Sequence, residues 1–348
     1  MRRHAALLIT AIVGATALAG CGSETADTRD RGAAAFGGHF SVEGALRALP
    51  AVKRQDDRPL QVFAGDLSEA AELGDLPKPV DPQSLADWSK GLATPPLFVA
   101  ASEGLGLQYL QSGAMRKTVG FDARDVTTFA AVEALPEDIT VVNLTKGAGL
   151  TKGVEATGKG TVGDIDPAWP DDAPFPFVHG VAQRGDEVAL SRSSAVLETW
   201  TKDNGDSLAD NDALVAVAKA LDAHGSYSAF LSDGPGKLPN LPPAALKAMN
   251  SSMPAFDAVG IAQGVEDGKA VEYVAYHVDD ADKAKDRIEK TWTDGMSART
   301  REPLAKLLDV GDVTAKDGVV TVKISPKGSA GLAVQMFMQG DVPFIVVD

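Results

Sequence analysis

A chain of 348 residues with 48 acidic against 33 basic side chains carries a net charge of −15, which argues against nucleic acid as a partner and against charge-driven adhesion to anionic headgroups. A single cysteine, Cys21, excludes any disulfide within the chain, so stability has to come from a packed core.

The first residues, Met1-Arg2-Arg3-His4, form a short positive segment, and the 13 that follow, Ala5 to Ala17, carry no charge. A membrane-spanning helix needs about 20 apolar residues, so this run suits the apolar part of a signal peptide. Leu18-Ala19-Gly20-Cys21 then resembles the bacterial lipobox. The resemblance implies cleavage between Gly20 and Cys21, with diacylglycerol joined to the Cys21 thiol and the membrane as the partner it holds. At about 0.8 kcal/mol per buried CH₂, two acyl chains hold a protein durably where one would not. Cleavage would leave 31 basic against 48 acidic side chains, −17, so lipid and not charge would keep the protein at the extracytoplasmic face. Residues 22–38 are small and polar, the composition of a flexible tether. The expected organisation is a signal peptide over 1–20, a lipidated cysteine and tether over 21–38, a first half over 39–240 and a second over 241–348.

Within the body, residues 41–49 read as a short helix capped by Ser41, and Leu60–Ala64 alternates like a strand. A helix is expected near Gln83–Lys90, a buried strand over Leu97–Ala101, and a helix over Asp125–Leu135 that stops before Pro136. Next come a strand Ile139–Leu144, a Gly/Lys-rich segment, a hairpin of Phe177–Gln183 with Glu187–Ser191, and a helix Ser194–Lys202. A helix Ser207–Ala223 and a strand Ser226–Leu231 follow, then a hairpin turning at Glu266-Asp267-Gly268-Lys269, where Asp-Gly tolerates positive φ. The remainder holds the strand Val271–Val278, the helix Asp280–Trp292, a hairpin of Asp312–Ala315 with Val319–Ser325, the helix Ala330–Gln339 and a final buried strand Phe344–Val347. Leu144 and Val278 stand 134 positions apart, as do Ser191 and Ser325, which points to a β-α-β-β-α internal duplication. Hairpins mixed with helices give an α+β fold, antiparallel sheets layered with helices, not a doubly wound parallel sheet.

The candidate chemistry is sparse. Gly153–Gly160 matches the frame of a phosphate loop, but Gly160 stands where Ser or Thr would hold magnesium, and a Gly-rich connector accounts for it better. Asp203–Asp212 gathers acids and amides, yet its order does not fit a calcium loop; helix capping by Asp206 or Ser207 explains it. His39, His179, His224 and His277 are isolated, with no pair at metal-binding spacing, and no Gly-x-Ser-x-Gly elbow occurs. No metal, cofactor or catalytic residue can be nominated. The segment Asp166–Phe177 interleaves Trp169, Phe175 and Phe177 with four prolines, a rigid loop that would present aromatics to a partner or an acyl chain.

The lipobox, the Asp/Gly/Ala/Val-rich body, the run Val119-Gly120-Phe121-Asp122-Ala123-Arg124-Asp125-Val126, the strand Thr140–Leu144 and the later Ser207-Leu208-Ala209-Asp210 together resemble uncharacterised lipoproteins of high-GC Gram-positive bacteria. The resemblance covers most of residues 100–235 and implies address and architecture, not catalysis. The functional expectation is a membrane-anchored, non-catalytic binding protein of the cell envelope, its ligand a lipid, a glycolipid or an envelope protein; a wall-modifying hydrolase and an assembly factor are the alternatives. Replacing Cys21 with Ser should move the protein from the membrane to the soluble fraction without unfolding it, read by fractionation alongside a thermal melt. A Cys21→Ser protein that still sedimented with membranes after signal cleavage would refute the anchor.

Overall fold

The computed structural model describes residues 40–53, 58–101, 116, 119–134, 137–150, 163–164, 180–202, 205–236 and 253–346. In chain order the described helices are α1 (Val42–Ala48), α2 (Leu67–Leu73), α3 (Pro82–Gly91), α4 (Ser194–Lys202), α5 (Asp212–Asp222), α6 (Ala281–Asp294) and α7 (Leu332–Met338). The strands are β1 (Gln61–Asp66), β2 (Val126–Ala134), β3 (Glu137–Leu144), β4 (Gly163–Asp164), β5 (Gly180–Arg184), β6 (Glu187–Ser191), β7 (Ser228–Ser232), β8 (Ala258–Glu266), β9 (Lys269–His277), β10 (Leu308–Lys316) and β11 (Val319–Pro326).

The eleven strands among the described residues join one antiparallel sheet in the order β10-β11-β9-β8-β7-β1-β2-β3-β6-β5-β4. The fold is α+β, as the sequence indicated, with the antiparallel strands gathered between two helical layers. From the central β1–β7 pair outward, one side runs β1-β2-β3-β6-β5 and the other β7-β8-β9-β11-β10. The same succession of strands is thus laid down twice, in opposite directions along the sheet. Each run is preceded by a helix, α1 or α5, and followed by one, α4 or α7.

Both faces of the sheet are buried over its central strands, while the edge strand β10 has only Leu308 buried, and the two faces differ in kind. One carries Phe63, Phe129, Phe230 and Tyr276 against Leu67 of α2, Leu85 of α3, Ile288 of α6 and Phe337 of α7. The other is lined by small residues, among them Ala64, Ala130, Ala229 and Ala262, under α1, α4 and α5. Small side chains let those helices approach closely. A Cβ on Gly260 would lie 2.5 Å from Val217 of α5, so that strand position must be glycine for the helix to sit where it does.

Local signals explain most elements. Ser41 caps α1 through a hydrogen bond from the Gly44 N–H (2.9 Å), and Asp280 caps α6. On α6 the residues Ala284, Ile288 and Trp292 are buried along one stripe. The β8–β9 and β10–β11 turns use Asp267-Gly268 and Asp317-Gly318, all four at positive φ, as two-residue hairpins require.

Four expectations are corrected. Residues 126–134 form β2, not a helix: seven of its nine residues are buried, so both faces are apolar and Val126, Phe129, Ala130 and Val132 imitate helical spacing. The segment Leu97–Ala101 is buried and extended but belongs to no strand; the Phe98 N–H donates to the Tyr227 hydroxyl (3.0 Å) and the Ala100 N–H to Ser228 Oγ (3.1 Å). In place of a last strand, Val342–Phe344 is a 3₁₀ turn packed on the aromatic face, and Ile345 is buried outside the sheet. The helix expected from Ser207 is also divided: Leu208–Asp210 is a 3₁₀ turn, and Asn211 caps α5.

One carboxylate ties the two helices that open the runs. Asp222, at the end of α5, accepts hydrogen bonds from the Val42 N–H (2.6 Å) and the Glu43 N–H (3.1 Å) at the start of α1. Asp222→Ala leaves both donors without this acceptor and should cost about 1–2 kcal/mol, measured as a lower urea midpoint at unchanged slope.

Candidate ligand cavity and its arginine clamp

The chain between β1 and β2 leaves the sheet and builds a chamber over its aromatic face. Asp66 ends β1 and caps α2 by accepting from the Glu69 N–H (2.8 Å), so strand passes into helix without a loop. Leu67 and Ala70 are the buried residues of α2, and Leu67, Ser68, Ala71 and Glu72 line the chamber. Gly74 ends the helix and Asp75 takes a positive φ of 50°, reversing the chain so that the Leu76 N–H returns to the Ala71 carbonyl (2.8 Å). Pro77 and Pro79 keep the next residues extended, and Asp81 restarts a helix through a reciprocal cap with Ser84.

The cavity opens to solvent and measures about 530 Å³. Leu67, Ala71, Leu76, Trp88 and Val126 give it apolar walls, and Glu72, Asp75, Lys78 and Arg124 bring charges of both signs to it. It lies wholly within the first half of the chain, not in a crevice between halves. A second open cavity of about 290 Å³ shares Leu76 with it and is bounded also by Asp87, Lys90, Thr94, Pro95 and Leu97.

An ion cluster fixes the edge of the larger cavity. Gly120, at φ 102°, turns the chain so that Phe121 enters the core and the Asp122 carboxylate is buried beside it. Asp122 accepts from Arg124 Nη2 (2.6 Å) and Nε (2.9 Å), from Arg116 Nε (2.8 Å), and from the Arg124 N–H (3.0 Å). Arg116 Nη2 also reaches Asp125 Oδ2 (2.5 Å), and Arg124 Nη1 donates to the Val80 carbonyl (3.2 Å). Arg124 thereby spans from the entry of β2 to the α2–α3 connection and holds the cavity wall to its floor. Burial pushes the Asp122 carboxyl up, but the hydrogen bonds from Arg124 and Arg116 outweigh it and hold the group well below the usual carboxylate range.

No family model, curated protein or solved structure matches the chain. The cavity therefore has to be read from its own residues.

Of the positions singled out in the sequence, Gly20, Cys21, Trp169, Phe175 and Phe177 lie outside the described residues, as do His39, His179 and the phosphate-loop frame at 153–160. His224 stacks on Tyr273 at 4.0 Å, while His277 Nδ1 stands 3.3 Å from an Asp257 oxygen, two separate surroundings. In the acidic run, Asp210 accepts from the Ser207 N–H (2.7 Å) and Asn211 accepts from the Ala213 and Leu214 N–H groups, so these oxygens serve as caps. Among the described residues no three His, Cys, Asp or Glu side chains converge as metal ligands, and no helix is long and apolar enough to cross a membrane.

Sequence reasoning missed the cavity and gave the clamp no role. The available signal was Asp122-x-Arg124-Asp125 wedged between a buried Phe and a strand. It also missed Glu272, fully buried on β9, whose two oxygens accept from the Leu332 and Ala333 N–H groups (2.8 Å each) at the start of α7. Burial pushes this carboxyl up to about 7.

Because the folded-state pKa of Asp122 is depressed, the clamp stabilises the protein fully above the unfolded carboxylate value of about 4 and loses that contribution as pH falls toward the folded value. Asp122→Asn should cost about 2–4 kcal/mol near neutral pH, below the figure for fully buried pairs because both guanidiniums reach solvent. The deficit should shrink in denaturant titrations run progressively below about pH 4. A deficit that stayed constant with pH would show that the ionised pair is not its source.

Proposed function

We propose that this chain is an exported, lipid-anchored binding protein of the cell envelope, and that the chamber between α2, α3 and the start of β2 takes an apolar ligand, a lipid or glycolipid. The observation that carries this reading is the cavity itself. Its volume of about 530 Å³ falls within the range of small-molecule sites, about 300–1,000 Å³, and its walls are mainly aliphatic and aromatic with a few charged groups placed around them. Such a chamber rewards burial of hydrocarbon at about 25 cal/mol per Å² while Lys78, Glu72 and Asp75 offer partners to a polar head. The clamp supports the same reading, since a preformed wall spares the ligand the cost of ordering it. Lipid on Cys21, as the lipobox resemblance implies, would keep the chamber close to a source of such ligands.

We further infer that the body arose by duplication of one helix–strand–hairpin–hairpin–helix unit. The support is the strand succession repeated from the centre of the sheet outward, with β3 answering to β9 and β6 to β11.

The ligand reading is tested by native mass spectrometry of the body without residues 1–21, purified from its own organism. A bound hydrophobic small molecule is expected. Ala71→Phe, which fills the chamber from α2, should abolish that adduct while the melting temperature moves by only a few degrees. An adduct retained in Ala71→Phe would place the ligand elsewhere, and a wild-type protein free of any adduct would sink the carrier reading.

A further inference from the structure

Helix α7 is held to the sheet at its start by a group that can change its charge. Glu272 of β9 is fully buried, and its two oxygens accept from the Leu332 and Ala333 N–H groups at 2.8 Å each. From β8 the Gln263 amide faces it, 1% exposed, with an Nε2 that makes no hydrogen bond of full geometry. β11 sets the apolar Ile324 opposite it, while the next residue, Lys323, lies on the other face of the sheet, paired with Glu266 (2.5 Å). Tyr227, just ahead of β7, also feels its charge; burial pushes that hydroxyl up to about 12, and the Glu272 carboxylate adds to the rise. No cation stands among the groups that shift Glu272.

The helix is bounded by turns and leans on a neighbour. Gly331 (φ 76°) precedes it and Gly340 (φ 63°) follows it, both in the left-handed region. Its Phe337 ring lies 4.8 Å from Phe230 and 5.6 Å from Phe344, so α7 covers part of the aromatic face. Gly331 is pressed on the Phe98 ring, where a Cβ would stand 2.3 Å away. Phe98 belongs to the extended stretch 97–101, tied to the sheet through the Tyr227 hydroxyl (3.0 Å) and Ser228 Oγ (3.1 Å).

We infer that α7 and the stretch 97–101 form one proton-controlled flap over the aromatic face, closed most firmly with Glu272 protonated and opening more readily once it is charged. Burial outweighs the N–H bonds and pushes the Glu272 carboxyl up to about 7, whereas in an open flap it meets water and returns toward about 4.3. The closed state therefore binds the proton more tightly. Closure is strongest below about pH 4.3 and is lost progressively as pH rises to about 7. Protonation keeps the contact intact, because the carbonyl oxygen still accepts the N–H groups and the Gln263 amide oxygen can take the new O–H.

The test is amide hydrogen exchange on the full-length protein from pH 5 to 8, resolved by residue and expressed as protection factors. Protection of Leu332, Ala333, Phe98 and Ala100 should fall together, about tenfold from pH 5 to 6 and roughly fiftyfold in all by pH 8, levelling above about pH 7. At each pH these four amides should be less protected than Ile288 and Trp292 of α6, since the flap opens without the rest of the molecule. In Glu272→Gln, which has no such proton, their protection should not vary over this range. Persistence of the fall in Glu272→Gln would overturn the role of Glu272. Should that variant fail to fold, the wild type decides alone: protection that is flat from pH 5 to 8 would overturn the proton control. Four amides as protected as those of α6, or Phe98 and Ala100 diverging from Leu332 and Ala333, would overturn the flap.

Discussion

The pairing of β1 with β7 is the interaction on which the rest of the molecule depends. Five antiparallel residue pairs, from Gln61 with Ser232 to Gly65 with Ser228, join two strand successions that would otherwise be separate sheets. Once joined, β1 and β7 are central and have no solvent-facing side: Phe63 and Phe230 project into one core, Ala64 and Ala229 into the other. A sheet apolar on both faces has to be covered on both, so the helices divide between two layers. The division follows side-chain size, with close-packed α1, α4 and α5 over the alanine face and larger, more irregular cover over the aromatic face. Cavities arise where cover is irregular, and both described chambers lie on that second side.

Three carboxylates, Asp122 and Glu272 buried and Asp222 half-buried, hold the covering layers to this sheet, each by accepting backbone or guanidinium N–H groups. Asp222 fastens α1 to α5, Glu272 fastens α7 to β9, and Asp122 fastens the wall of the larger chamber to the start of β2. A buried carboxylate is costly unless its oxygens are satisfied, and each of these makes at least two such bonds. In a chain whose only cysteine is Cys21, these contacts do by hydrogen bonding what a disulfide would do covalently. They also specify geometry: hydrophobic burial alone would let a short helix such as α7 slide over an apolar sheet, whereas two N–H groups bonded to one carboxylate fix its register.

How much of this was legible in the sequence follows from how visibly each element meets water. Helix α6 has one wet face and one dry, and its Ala284, Ile288 and Trp292 stripe announced it. The hairpins were legible because their Asp-Gly turns need positive φ. Strand β2 was not, since burial on both faces erases the alternation that marks a strand, and only β-branched Val126, Thr127, Thr128 and Val132 opposed a helical reading. The stretch at Leu97 was apolar enough for a strand, but its N–H groups go to side chains of Tyr227 and Ser228, and no periodicity encodes that. The cavity was illegible for a related reason: Ala71, Leu76, Trp88 and Val126 are ordinary core residues in sequence, and only tertiary structure leaves space among them. The clamp was visible as a run of charges beside Phe121, without a sign of which charges meet.

Asp122 and Glu272 also set opposite responses to protons, and the sign of each follows from what surrounds it. Asp122 faces two guanidiniums, so its folded form holds the charge more readily than the unfolded chain does, and its contribution fades only as pH falls below about 4. Glu272 faces backbone N–H groups and the Gln263 amide, with no cation among the groups that shift it, and burial raises its carboxyl to about 7. The folded protein therefore binds that proton more tightly than the unfolded chain, so stability from Glu272 grows as pH falls from above about 7 toward the unfolded value near 4.3. The two windows adjoin without overlapping. In the mildly acidic range just above their meeting point the clamp is still charged and Glu272 is already neutral, and in that range neither group opposes folding. This follows from environment alone: a carboxylate partnered by cations guards the cavity wall, while one partnered by N–H groups under α7 tolerates neutralisation because a protonated oxygen still leaves acceptor capacity for those bonds.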